Sequence, residues 1–180
     1  MRERILVLAS VVLVLASVAM VLAPTMLVAN VSWVKKYSSL ASLVEDSDLV
    51  IVGNVISSTS YKVEDLDGYL IFTDYTINVK QVVLGATKGK TIIITQTGGT
   101  LSGETRVIRD DPLLEKNCDM VLFLKSYEGK YFILGGPQGR FHILDGKVYS
   151  VGELVKEAAT TTDGLQVGGK TLSSFIDNLK

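Results

Sequence analysis

The stretch Tyr69 to Gly85, YLIFTDYTINVKQVVLG, constrains the fold more than any other part of the chain. Fully extended, it would run roughly 55 Å at about 3.3 Å per residue, far beyond the usual strand of about five or six residues. It therefore has to bend. Tyr75, Ile77 and Val79 alternate with Asp74, Thr76, Asn78 and Lys80, the period of a half-buried strand. After Gln81 the run Val82, Val83, Leu84 is apolar on both faces. Loss of phase near Lys80 and Gln81 is what a β-bulge, or a passage from one sheet layer to another, produces. The expected architecture is mainly β: a small barrel wrapped by this strand.

Residues on either side supply the other strands. Asp48 to Ser58, DLVIVGNVISS, opens with a run suited to a strand buried on both faces and reaches Gly53, where a bend is cheap. Lys62 to Gly68 reads as a polar connection, with Asp67-Gly68 as its turn. Thr91 to Thr97 is β-branched around Ile92, Ile93 and Ile94, and Glu104 to Arg109 fits a short ribbon. Met120 to Lys125 is a further buried strand. Glu128-Gly129 and Asp145-Gly146 are hairpin turns, joining it to Tyr131 to Leu134 and joining Phe141 to Leu144 with Lys147 to Ser150. The expected barrel core includes Val50, Val52, Val55, Tyr75, Ile77, Val79, Ile93, Leu122 and Leu124.

Two helices flank the β region. Ser38 and Ser39 offer N-caps to a short helix striped by Leu40, Leu43 and Val44. Thr171 caps a helix in which Leu172, Phe175, Ile176 and Leu179 form a docking stripe. The organisation expected is a leader or anchor over 1–29, a juxtamembrane segment and short helix over 30–47, an OB-like barrel over 48–150, and a C-terminal extension over 151–180.

The leader sets the address. Arg2 and Arg4 precede Ile5 to Ala23, nineteen residues without a charge, and at 1.5 Å per residue such a helix would measure about 28 Å, close to the hydrocarbon thickness of a bilayer. Its small-residue cleavage sites are poor: Ser17-Val18-Ala19 lies inside the run, and Leu27-Val28-Ala29 has a large residue at its first position. The reading is an uncleaved anchor at Ile5 to Ala23, with a cleaved signal as the alternative. Either places the remainder outside the cytoplasm. Asn30-Val31-Ser32 is a formal glycosylation sequon, and Trp33, Lys35, Lys36 and Tyr37 suit a membrane interface as well as they suit packing on the barrel.

Charge and motif content exclude several functions. Lys and Arg number 18 against 19 Asp and Glu, and of these only Arg2, Glu3 and Arg4 precede Asn30, so the exported part is slightly acidic and lacks a nucleic-acid footprint. One cysteine, Cys118, excludes an internal disulfide, and one histidine, His142, excludes a multi-histidine metal site. A Cys118-His142 nucleophile pair is the thinnest of the catalytic options. Asp65-Leu66-Asp67-Gly68 resembles the start of a calcium loop but lacks the later ligands. Arg109-Asp110-Asp111 and the loop Gly135 to Arg140 are polar or glycine-rich segments that read first as loops and second as ligand contacts.

In order and spacing, SDLVIVGNVISS, TDYTINVKQVVLG, GKTIIITQTGG and DMVLFLK resemble the OB-fold domains of the tissue inhibitor of metalloproteinases and netrin-like group, and a set of exported microbial proteins with that core. The resemblance implies an OB-like barrel over roughly Asp48 to Lys125. The family's inhibitory device is a mature N-terminal cysteine that chelates the protease zinc, and Cys118 stands in the interior of this sequence. The expected function is a non-enzymatic, membrane-attached module that binds a protein or envelope ligand and uses no cofactor. The alternatives are a small exported hydrolase or thiol enzyme using Asp110, Asp111, Cys118 or His142, and an inhibitor-like protein without the cysteine device.

Overall fold

The stretch expected to bend does bend. A computed structural model describes residues 25–29, 35–65, 68–151 and 167–179. Its elements are β1 (Thr25–Ala29), α1 (Leu40–Asp46), β2 (Leu49–Asp65), β3 (Gly68–Leu84), β4 (Thr91–Thr97), β5 (Gly99–Leu101), β6 (Glu104–Ile108), β7 (Asp119–Tyr127), β8 (Lys130–Ile133), a 3-10 turn (Gly136–Gly139), β9 (Arg140–Leu144), β10 (Lys147–Ser150), β11 (Lys170–Thr171) and α2 (Leu172–Asp177). Opposite β2, the long strand β3 carries two surplus residues. Val50 pairs with Leu84 and Ile51 with Val82, leaving Val83 over; Val52 pairs with Gln81 and Gly53 with Val79, leaving Lys80 over. Gly53 permits the second bulge, because a Cβ there would lie 2.6 Å from Asn78 O. The bulge falls where the sequence lost its alternation.

β2 lies between β3 and β7; β3 pairs with β4, and β7 pairs with β8. The parallel register between β4 and β8 is the single pair Ile94 with Tyr131. The pairings thus run β7-β2-β3-β4-β8 and back to β7, but with so slight a junction the sheet is not closed as a barrel. Beyond β7 it continues through β9, β10 and β11, while β1, β6 and β5 form a separate three-stranded sheet with β1 parallel to β6.

Two cores share the central strands. Leu49, Ile51 and Val55 of β2 face Tyr75, Ile77, Ile94, Met120 and Leu122 inside the strand circuit. Val50, Val52, Val121 and Phe123 point to the opposite side, where Tyr37, Leu43, Phe141, Phe175 and Ile176 cover them. Burial on both faces explains why these strands read as continuous apolar runs. Phe141 packs 5.7 Å from Phe123 and 5.1 Å from Phe175, ring centre to ring centre. Both helix caps form as expected, with Ser39 accepting from Ser42 N and Thr171 from Ser174 N. At Asp145-Gly146, φ values of 50° and 72° give the turn its type I′ handedness.

Beyond the open barrel, three further expectations need correction. Ile93 is 38 % exposed, while Ile92 and Ile94 are buried; β4 keeps strict alternation there, so only two of the three isoleucines face inward. Val79, expected in the core, is only partly buried against it. Most of Lys62 to Gly68 is strand rather than connection: β2 runs to Asp65, and Tyr61 lies opposite Phe72 and Glu64 opposite Tyr69. There Lys62, Val63 and Glu64 of β2 are all exposed, so no apolar alternation advertises the strand, and its support comes from cross-strand pairs such as the Tyr61 and Phe72 rings at 6.1 Å.

Ile5 to Ala23, Asn30 and Trp33 lie outside the described residues, as do Leu66 and Asp67. Among the described residues no helix is long and apolar enough to cross a membrane.

Candidate functional site

Of the four side chains singled out for chemistry, two meet. Asn117, at φ 60°, turns the chain into β7, and its N–H donates to Val55 O at 3.2 Å. Cys118 follows, half-buried, and His142 reaches it from β9, where it sits opposite Met120. Cys118 Sγ lies 3.1 Å from His142 Nδ1. Burial pushes the Cys118 thiol up, and the nearby Glu115 and Asp119 carboxylates add to the shift. Burial pushes the His142 imidazole down, helped by Arg140 and opposed by Glu115. Both shifts favour a neutral thiol beside a neutral imidazole, whereas a cysteine nucleophile works as thiolate. The shallow cavity alongside, about 460 Å³, is lined by Asn54, Lys80, Lys116, Cys118, Asp119 and Leu144. Its Lys80 is already paired with Asp119 at 2.6 Å.

The other two expected residues separate. Asp110 stays on the surface with Arg109, while Asp111 turns inward and pairs not with Arg109 but with Arg140, 3.1 Å away. Arg140 Nη2 donates to Pro112 O at 2.5 Å, and the Gln96 amide braces the same loop by donating to Pro112 O and accepting from Leu114 N. Burial pushes the Asp111 carboxyl up against the pull of the guanidinium. Arg140 and His142 lie two residues apart on one strand and so share a face, which gathers Asp111, Arg140, His142 and Cys118 at one end of the inner core. Sequence spacing gave no sign of the Asp111-Arg140 pair. In the loop from Gly135 to Arg140, the Gln138 amide is spent on Tyr37, accepting from its N–H at 3.0 Å and donating to its carbonyl at 2.9 Å. Among the described residues no cluster of three or more His, Cys, Asp or Glu could hold a metal ion.

A third feature escaped the sequence reading. A groove of about 370 Å³ opens where β1 lies beside the hairpin end of β3, lined by Leu27, Val28, Leu70, Ile71, Val107 and Ile108 with almost no polar surface. Around it Met26, Leu27 and Val28 are 68, 53 and 49 % exposed, and Val63 and Leu70 stand out beside them at just over 40 %. At the rim the Tyr69 ring sits between Lys62 Nζ, 4.1 Å from its centre, and the Arg106 guanidinium at 3.9 Å. Each cation has its own carboxylate, Glu64 at 2.8 Å and Glu104 at 2.6 Å, and Tyr69 Oη also donates to Glu104. The groove was missed because Thr25 to Ala29 reads as the tail of a leader, when it is a strand registered from Thr25 opposite Glu104 to Ala29 opposite Ile108. No known protein-family model and no curated protein matches the chain.

Proposed function

We propose that the chain is a non-enzymatic, extracytoplasmic β module, held at the membrane by Ile5 to Ala23, that binds an apolar envelope component in the groove between β1, β3 and β6. The observation that carries the reading is the contiguous apolar surface of that groove and its exposed margin, of the kind that marks interaction sites. The pairing of Thr25 to Ala29 with β6 also fits an uncleaved leader, since cleavage after Ala29 would remove β1 and strip one wall of the groove. The circuit of five strands supports the finer reading of a partly open OB-like barrel, and with it the resemblance to the tissue inhibitor of metalloproteinases and netrin-like group. Zinc chelation by an N-terminal cysteine does not carry over, because Cys118 is internal and bonded to His142.

The test is photo-crosslinking in intact cells from a photoreactive residue at position 70, with position 82, farther along the same strand, as control. Adducts to an envelope component at 70 and not at 82 support the reading; equal yields at both positions contradict it.

One observation favours a second reading, a thiol enzyme: the 3.1 Å approach of Cys118 to His142. The directions of both shifts oppose it.

A further inference from the structure

We infer that the partner of this groove is the bilayer surface itself, so that the hairpin end of β2 and β3 docks tip-first on the membrane in which the leader is held. The inference rests on the tethered reading above. Thr25, the first residue of β1, stands two positions beyond Ala23, the far end of the proposed anchor. Two residues of extended chain reach at most about 7 Å, so a run embedded in the bilayer brings the start of β1 to its surface. The register then fixes which end of the sheet arrives there. Thr25 pairs with Glu104, Glu104 bonds Tyr69, and Arg106 Nη1 donates to Tyr69 O at 2.6 Å. The tip of the β2–β3 hairpin therefore faces the point of entry.

The chemistry of that end matches the headgroup layer. Met26, Leu27, Val63 and Leu70 offer exposed apolar side chains, and Tyr69 between two long cationic side chains is an arrangement suited to an interface, ring at headgroup depth and charges in water. Because Lys62 is paired with Glu64 and Arg106 with Glu104, no strong anionic-lipid attraction is left over. Docking is then apolar, proceeds on zwitterionic lipid and resists salt.

The test uses the full chain reconstituted into phosphatidylcholine vesicles. In a Cys118→Ser background, Leu70→Cys and Val82→Cys are each labelled with an environment-sensitive fluorophore, and lipids carrying a spin label just below the headgroup serve as quenchers. Val82 is exposed to a similar degree, 38 %, but lies twelve residues along β3, up to roughly 40 Å away. The inference predicts quenching at position 70 at least three times that at position 82, unchanged in 1 M salt. Protein that floats with the vesicles but is quenched equally at both positions overturns the docking and leaves the tether standing. Protein that does not float overturns the tether and the docking with it. Val63→Cys repeats the measurement on the opposite strand, and far-UV circular dichroism verifies that each labelled chain is folded.

Discussion

Arg140 and Asp111 form a buried ion pair, 3.1 Å apart with side chains 1 and 5 % exposed, at the end of the inner core shared with Cys118 and His142. Removing one partner would strand the other charge. Asp111→Ala or Arg140→Met alone is expected to destabilise the protein by about 3–5 kcal/mol, and the double replacement by less than the sum of the two. Urea unfolding of the three variants decides this; additive losses would show that the two charges do not depend on each other.

The Cys118-His142 contact makes a prediction about reactivity. Because burial and neighbouring carboxylates raise the thiol, the rate of Cys118 alkylation by iodoacetamide should keep rising with pH above the range where an ordinary thiol has levelled off. A plateau reached below neutral pH would reveal a preformed thiolate and move the thiol-enzyme reading ahead of the binding module.

The burial of His142 makes a prediction about stability. His142 is held below its usual value of 6.5 in the native state, so on acidification the unfolded chain takes up a proton before the native chain does. Its contribution to stability is present above pH 6.5 and lost as the pH falls through that value toward the native one. Thermal melts between pH 7.5 and 5.5 should show a fall that flattens in His142→Gln; an identical slope in both proteins would show that the native imidazole is not depressed.

Position along β3 and β4 gives a packing prediction. Ile94→Ala or Ile77→Ala removes a fully buried side chain and should cost about 2–5 kcal/mol. Ile93→Ala, on the exposed side, should change stability by no more than about 0.5 kcal/mol from lost packing. Equal losses at 93 and 94 would mean that the strand's faces are reversed.

Much of the fold was legible because it is written in local patterns. Ser39 and Thr171 cap the helices they were expected to cap, Asp145-Gly146 turns the hairpin, and the loss of alternation after Lys80 marks a bulge. Where the sequence misled, the determinant was either distant or ambiguous. Three consecutive isoleucines do not say which one faces out. Lys62 to Glu64, exposed on both faces of β2, carry no apolar period. Thr25 to Ala29 reads as the tail of an apolar leader, and only its pairing with β6 shows it to be a strand. The candidate sites were the least legible part, since Asp111 with Arg140, and Cys118 with His142, are joined by tertiary folding alone.

Attachment of the module to the membrane with β1 in place, as proposed above, is read from the size and partition of the native protein. The expected result is a protein that stays in the membrane fraction through a high-salt wash and still contains Arg2 and the peptide from Thr25 to Ala29. A soluble species beginning near Asn30 would contradict it, because that chain would have lost its anchor and the strand that walls the groove.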